Sequence, residues 1–335
     1  MSMPQVKLGS ALVGQMGFGL MQLTWTPEPP SQETSFAAMK AAAENGCTAW
    51  SSAFFYGNFI GHPEKMLDNI RLIGAFFQKY PEYKDKITLV IKGGITETFG
   101  ATIDLDYWRK QLKEAQEILG DKRMDVISAA RIPPDTTPVQ VAQALKTLQS
   151  EGWFDHVGAS EVGAASLAAM NEVVPIVVDE IEVSLWSYEQ DVRDVLAYAN
   201  EHHIAVFAYS PLGRGFISRK WKSPEDIPEG SFQRRCPRFQ GEQFYENLKL
   251  VDQLDELAEQ KGLKTTQLAL AWITHLGPYI IPIPGSSNPE RVAENAQAAS
   301  IKLSDSDLKG VNETLQKFEV KGGRYDEHSS ALLMK

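Results

Sequence analysis

Cysteine is almost missing from this 335-residue sequence. Only Cys47 and Cys236 occur, too few for a disulfide framework, and a reducing compartment is the natural setting for such a chain. Long apolar runs are missing as well. The stretch 173–178 is broken by Pro175 and is far shorter than the ~20 residues that cross a bilayer. No apolar core of the secretory kind follows Met1, so a cytoplasmic protein is expected, the nucleus being a second possibility. There is no Lys/Arg block: 33 basic residues face 43 acidic ones, a net charge of −10. That balance excludes the basic footprint that nucleic acid or an anionic membrane requires. The six histidines lack metal spacing, with His202 and His203 adjacent and no His-Glu-x-x-His, so no metal site is expected. No Gly-x-Ser-x-Gly marks a nucleophile elbow. Gly14, Gly17 and Gly19 have the wrong spacing for a dinucleotide-binding Gly-x-Gly-x-x-Gly and lead into a proline-rich turn rather than a helix.

What is present is an ordinary globular mix, 43% apolar and 23% charged. Eight short apolar runs read as strands, at 17–20, 47–50, 88–91, 125–129, 156–159, 181–184, 205–208 and 279–281. Amphipathic segments separate them. Phe36, Met39 and Ala43 form one helical stripe, entered through Ser31 and ended by Asn45 and Gly46. Trp108, Leu112, Ala115 and Leu119 form a second, closed by Gly120; Val141, Leu145 and Leu148 a third, stopped by Gly152; Val192, Val195, Leu196 and Ala199 a fourth. Continuously apolar strands alternating with helices imply a parallel sheet buried on both faces. Eight of them suggest an α/β class fold, a closed (β/α)8 TIM barrel in a single domain over 1–335, with a doubly wound sheet as the alternative. Two segments break the repeat. The stretch 210–245 is far longer than the ~2–6 residues usual after a barrel strand and reads as a lid or a mobile loop. The polar tail, about 319–335, would either dangle or fold over the barrel mouth.

Barrel chemistry sits where the strands end. Tyr56 follows the second run and Lys92 the third. An ammonium ~4 Å from a phenolate, at an effective dielectric near ~20, is worth ~4 kcal/mol. At ~1.4 kcal/mol per pKa unit, that would draw a tyrosine down toward neutrality and make it a general acid. The plainer reading has Tyr56 capping the barrel and Lys92 solvated. After the eighth run, Asn288 is an N-cap, Pro289 a first helical residue and Glu290 a first-turn acid. Ser286, Ser287 and Arg291 surround that helix start, which is either an anion site or simply a well-capped helix. Arg234 and Arg235 in the long loop would meet an anionic substrate or merely solvent.

Taken together, these strand ends resemble the aldo-keto reductases over almost the whole chain. The likeness rests on Tyr56-Gly57, Lys92, the run Tyr209-Ser210-Pro211-Leu212-Gly213, and Pro284-Gly285-Ser286-Ser287 with Pro289, Glu290, Arg291, Glu294 and Asn295. Within that family the chain is most similar to the pyridoxal reductases, on 7–14, 16–21, Trp25, Ala130-Arg131, Ser160-Glu161-Val162 and Gly323-Arg324-Tyr325. The resemblance implies a barrel opened by an N-terminal β-hairpin, NADPH as cofactor, a small-molecule aldehyde as partner and a monomer. It implies NADPH-dependent reduction of an aldehyde, pyridoxal to pyridoxine, with Tyr56 giving the proton, assisted by Lys92. General aldehyde reduction and a catalytically weak, NADPH-bound regulatory barrel are its alternatives. Tyr209 would stack on the nicotinamide and Ser160 would bind its carboxamide. Ser210, Leu212 and Gly213 would line the pyrophosphate, Arg291 and Ser286 the 2′-phosphate, Glu294 and Asn295 the adenine.

Four positions depart from the family pattern. Ser51 stands where the catalytic tetrad has Asp, Ala130 where it has His, and Glu161 and Glu180 where an Asn and a Gln bind the carboxamide. Two acids would then sit beside the cationic nicotinamide. Lys92, without an Asp partner, would face two opposed effects. Burial without a counter-ion would lower its own pKa, whereas in its charged form no carboxylate would dilute its pull on Tyr56; activity would fall at lower pH than usual if the lysine were often neutral. Phe54, Phe55, Trp25, Arg324 and Tyr325 are candidate pocket walls.

Overall fold

Ser31 opens the first helix by accepting a hydrogen bond from the Thr34 N–H, and α1 (Gln32–Glu44) runs from there to Asn45. Phe36 and Met39 of the expected stripe are buried, but its third member, Ala43, is only half-buried and Ala42 takes the inward position instead. In the computed structural model, residues 3–325 and 333–334 are described. A hairpin of β1 (Gln5–Leu8) and β2 (Ala11–Gly14) comes first. Eight strands then follow, β3 (Phe18–Gly19), β4 (Ala49–Ala53), β5 (Thr88–Gly93), β6 (Val126–Ala129), β7 (His156–Ser160), β8 (Ile176–Glu182), β9 (Ala205–Tyr209) and β10 (Ile280–Pro282). Each is parallel to the next. The Gly17 N–H donates to the Pro282 carbonyl at 2.9 Å and joins the two ends of the sheet.

The outer helices are α1, α2 (Asp68–Lys79), α3 (Leu105–Leu119), α4 (Pro138–Ser150), α5 (Ala164–Val173), α6 (Gln190–Glu201), α8 (Thr265–Thr274) and α9 (Pro289–Gln297), with α7 (Gly241–Glu259) and α10 (Asp305–Lys317) added after β9 and α9. The architecture is therefore the expected barrel of eight parallel strands with an N-terminal antiparallel hairpin. The hairpin closes the bottom: Val6, Leu8 and Val13 pack with Ala49, Val90, Val126, Val178, Phe207 and Ile281 from inside the barrel.

Several strands end later than the apolar runs suggest, and one was misplaced. β4 continues through Ser51, β5 through Lys92 and β7 through Ser160. The sixth strand was expected at 181–184 with Glu180 ahead of it. It is β8, and Glu180 lies well inside. Polar residues were read as strand ends, but the upper barrel tolerates them because they bond one another. Strand side chains alternate, so Ser51 follows Ala49, Lys92 follows Val90 and Glu180 follows Val178 on the inward faces.

The long loop after β9 is packed rather than loose. Phe216 stacks on Trp186 with centroids 4.3 Å apart, Phe239 meets both edge-on, and Arg219 pairs with Asp252 and Asp255 of α7. The described tail folds over the mouth, with the Lys321 N–H donating to Asn247 Oδ1 and Tyr325 reaching Tyr209. The remainder of the expected tail, 326–332 and 335, lies outside the described residues.

Phe207 is fully buried at the heart of the inner cluster. Phe207→Ala is expected to cost ~3–5 kcal/mol, read as a lowered denaturation midpoint at unchanged slope in chemical denaturation.

Candidate active site

Lys92 projects from the end of β5 into the barrel. Its Nζ donates to Glu180 Oε1 at 2.7 Å and to Ser51 Oγ at 2.9 Å, and the Ser51 hydroxyl donates in turn to Glu180 Oε2 at 2.7 Å. All three side chains are buried. The ammonium lies 5.1 Å from the centroid of the Tyr56 ring, so the barrel brings the phenol and the lysine together rather than leaving Lys92 solvated.

Two electrostatic expectations need correction. Lys92 does not lack a counter-ion. Burial opposes its charge, but Glu180, with Tyr56, outweighs burial and holds the lysine above its ordinary pKa. Tyr56 is not drawn toward neutrality either. Burial raises its pKa more than Lys92 lowers it, and the phenol stays protonated past its usual range. The bulk-like Coulomb reading omitted desolvation of the phenolate, which wins here.

A hydrogen-bond chain, buried at Ser52 and Asn69 and half-buried at Thr24, fixes the Tyr56 loop. Ser52 donates to Asn69 Oδ1, Asn69 donates to the Leu20 carbonyl and to Thr24 Oγ1, and the Thr24 hydroxyl donates to the Tyr56 carbonyl at 2.7 Å. Gly57 follows because a Cβ there would lie 1.9 Å from the Lys65 carbonyl oxygen. Trp25 packs on both Phe55 and Tyr56, and with Phe59, Ile95 and Ala130 they form a separate apolar cluster. Phe54, expected as a pocket wall, belongs instead to the main core, fully buried next to Gly93.

The two acids have different partners. Glu180 is bound to Lys92 and Ser51. Glu161, in a left-handed conformation (φ 55°), accepts from the Glu182 N–H through Oε1 and lies 3.5 Å from the Arg324 guanidinium through Oε2. Arg324 also approaches Glu182, whose other partners are Arg214 and Ser187. The Tyr209 hydroxyl is 2.7 Å from that of Tyr325, whose ring lies over Arg214. Arg131, half-buried, is placed where the charge of Glu161 and the phenols Tyr325, Tyr209 and Tyr56 all act on it. Ser160 is buried and pairs with Glu180 in the β7–β8 ladder.

At the other side of the mouth, Asn288 Oδ1 accepts from the Arg291 N–H and caps α9. Ser286 Oγ accepts from the Asn288 N–H. Gly285 sits on the seam of the barrel, where a Cβ would come within 2.6 Å of the Gly19 carbonyl oxygen; no side chain fits. Lys220, from the long loop, was missed: desolvation and then the Arg291 charge lower its pKa. Its position follows only from how the loop folds, and nothing periodic in the sequence marks it. Glu294 is held by Lys264 at 2.6 Å, and Asn295 is half-buried beside it on α9. Ser210 and Gly213 take positive φ in the turn after β9, and Leu212 is partly buried against the core. Arg234 donates to the Ile227 and Glu225 carbonyls of its own loop, so it serves the loop rather than an anion. Among the described residues, no cluster of His, Cys, Asp or Glu is suited to a metal, and no helix is long and apolar enough to cross a membrane.

Residues 15–316 match the model of the aldo/keto reductase family. An aldo-keto reductase of Schizosaccharomyces pombe, "yakc [NADP(+)]", is 34% identical, covering 97% of this chain and 95% of its own. "Probable pyridoxal reductase 2" from the same organism is 31% identical, covering 96% and 97%. The structure of a glycerol dehydrogenase from Gluconobacter oxydans superimposes with a TM-score of 0.81 at 20% identity, over 96% of this chain and 98% of that one, a likeness of fold. By sequence along nearly its whole length, this chain belongs to the aldo/keto reductase family, a family of oxidoreductases.

Proposed function

We propose that the protein reduces small aldehydes with NADPH, pyridoxal being the first candidate, and that Tyr56 is the proton donor. The observation that carries the reading is the Tyr56 phenol set beside a buried, charge-paired Lys92. Pyridoxal is suggested by the 31% identical relative named for it. Ala130 leaves no imidazole to orient a carbonyl and keeps that wall of the mouth small and apolar, which favours the more electrophilic aldehydes over ketones.

The chain fits a phosphate-bearing dinucleotide on one observation. Lys220 and Arg291 stand close enough to repel each other, and neither side chain has a carboxylate partner among the described residues. Two unneutralised cations beside a capped helix start suit a phosphate ester. Arg291, Lys220 and Ser286 would hold the 2′-phosphate; Ser210, Leu212 and Gly213 the pyrophosphate; Tyr209 and Ser160 the nicotinamide; Asn295 the adenine, with Glu294 once released from Lys264. The bound cofactor supplies a hydride to the carbonyl carbon. Tyr56 gives its proton to the carbonyl oxygen as that atom becomes an alkoxide, and the Lys92 ammonium stabilises the phenolate left behind. Trp25 and Phe55 exclude water from that side.

Mixing the protein with NADPH and pyridoxal and following reduced-nicotinamide absorbance tests the reading; a ketone turned over faster than every aldehyde would overturn the substrate class. Tyr56→Phe is expected to lower kcat by ~10²–10⁴-fold, the usual worth of a positioned acid, with NADPH affinity unchanged in a fluorescence titration. A barrel that only binds NADPH would show no aldehyde turnover to lose. Lys220→Ala and Arg291→Ala should each raise KM for NADPH by about tenfold or more while leaving KM for NADH unaltered; equal losses for both cofactors would remove the 2′-phosphate assignment. Because reduction needs the phenol protonated and its pKa is raised, kcat for reduction should stay level from about pH 6 to about pH 9. It should fall only as the pH passes through the raised value, measurable in a buffered pH series.

A further inference from the structure

We propose that Glu180 is the counter-ion that positions Lys92 beneath Tyr56, supplied across the barrel from β8 in place of a carboxylate at position 51. The inference deepens the reductase reading and rests on it for its catalytic meaning. Its support is a closed triangle of buried hydrogen bonds. Lys92 Nζ donates to Glu180 Oε1 (2.7 Å) and to Ser51 Oγ (2.9 Å), and Ser51 donates to Glu180 Oε2 (2.7 Å). Ser51, Lys92 and Glu180 are 2%, 4% and 4% exposed, so water supplies little competition. An ammonium has three donors; two are committed within the triangle, and the remaining one is available to the phenol side, where Lys92 lies over the Tyr56 ring.

The hydroxyl at 51 has a definite part. It accepts a hydrogen bond from the lysine and donates its own O–H to the carboxylate, so it holds both partners in register without adding charge. A carboxylate at 51 with Glu180 retained would set two anions on one cation. Ser51 and Glu180 are therefore one coordinated arrangement, with each oxygen of Glu180 already accepting one bond inside the triangle. Asp179, next to Glu180 on β8, alternates to the other face of the strand, although the charges of Glu161 and Glu180 act on it; the groups around Tyr56 are Lys92, Glu180, Tyr325 and Arg131.

The test compares Glu180→Gln with the double variant Ser51→Asp/Glu180→Gln. For each, the melting temperature of the cofactor-free protein, NADPH affinity, and kcat and KM across a pH series are measured. Glu180→Gln is expected to lower the melting temperature and to cut kcat at least tenfold with little change in NADPH affinity. The alkaline limb of its profile should move to lower pH, since a buried lysine without its anion loses its proton sooner. The double variant should restore the melting temperature and the alkaline limb, and bring kcat back to within about threefold. If Glu180→Gln leaves kcat and the profile intact and changes NADPH affinity instead, Glu180 is a cofactor ligand and the proposal is overturned. Restored stability without restored kcat also overturns the positioning role. Should Glu180→Gln fail to fold, a folded and active double variant supports the proposal, and one that fails as well counts against it. If the unmodified protein turns over no aldehyde, the reductase reading falls, while the recovery of melting temperature still decides whether Glu180 is the counter-ion.

Discussion

A charged lysine inside a barrel is the constraint on which this site is built. Burying an ammonium is costly, and the cost is tolerable only with an anion in contact and the remaining donors satisfied. Here one carboxylate and one hydroxyl meet both demands. Removing a single partner from such a pair typically costs ~3–5 kcal/mol, because the other is left charged and dry. The pair is thus weak evidence of stability; what it does is keep a charged ammonium next to the phenol. Burial meanwhile keeps the phenol protonated, which is the state a proton donor needs.

The rest of the barrel holds that arrangement still. The hairpin seals the bottom with Val6, Leu8 and Val13, so the interior at that end is filled by apolar side chains. Strand alternation lifts Ser51, Lys92 and Glu180 to the same upper layer from three different strands. The chain from Ser52 through Asn69 and the half-buried Thr24 to the Tyr56 carbonyl then fixes the loop carrying the phenol, and satisfies the buried Ser52 and Asn69 side chains.

A second charged network closes the opposite rim. Glu161 and Glu182 take Arg324 and Arg214, and Tyr325 meets Tyr209. The tail is therefore part of the mouth, tied down by Asn247 before it arrives. The long loop belongs to the same construction: its aromatic residues pack on Trp186, and it carries Lys220 to where the Arg291 charge acts on it.

Much of this was legible along the chain. Apolar runs and capped stripes such as 31–45 and 105–120 specify eight strand–helix units, and local hydrogen-bonding rules are enough to place Asn288 before α9. Tyr56 and Lys92 stood out because both types are chemically loaded at strand ends. Glu180 was misjudged because Asp179, Glu180 and Glu182 look like a polar lead-in; only alternation with Val178 hinted that it turns inward. Sequence by itself determined the barrel and its helix caps, since these follow from period and propensity over short spans; it marked Tyr56 and Lys92 as candidates but left open whether they meet, which the fold decides. Tertiary structure alone decided which acid neutralises Lys92, which cation joins Arg291 and which way the two pKa values move, because each depends on groups brought together across the barrel and on how much water they lose there.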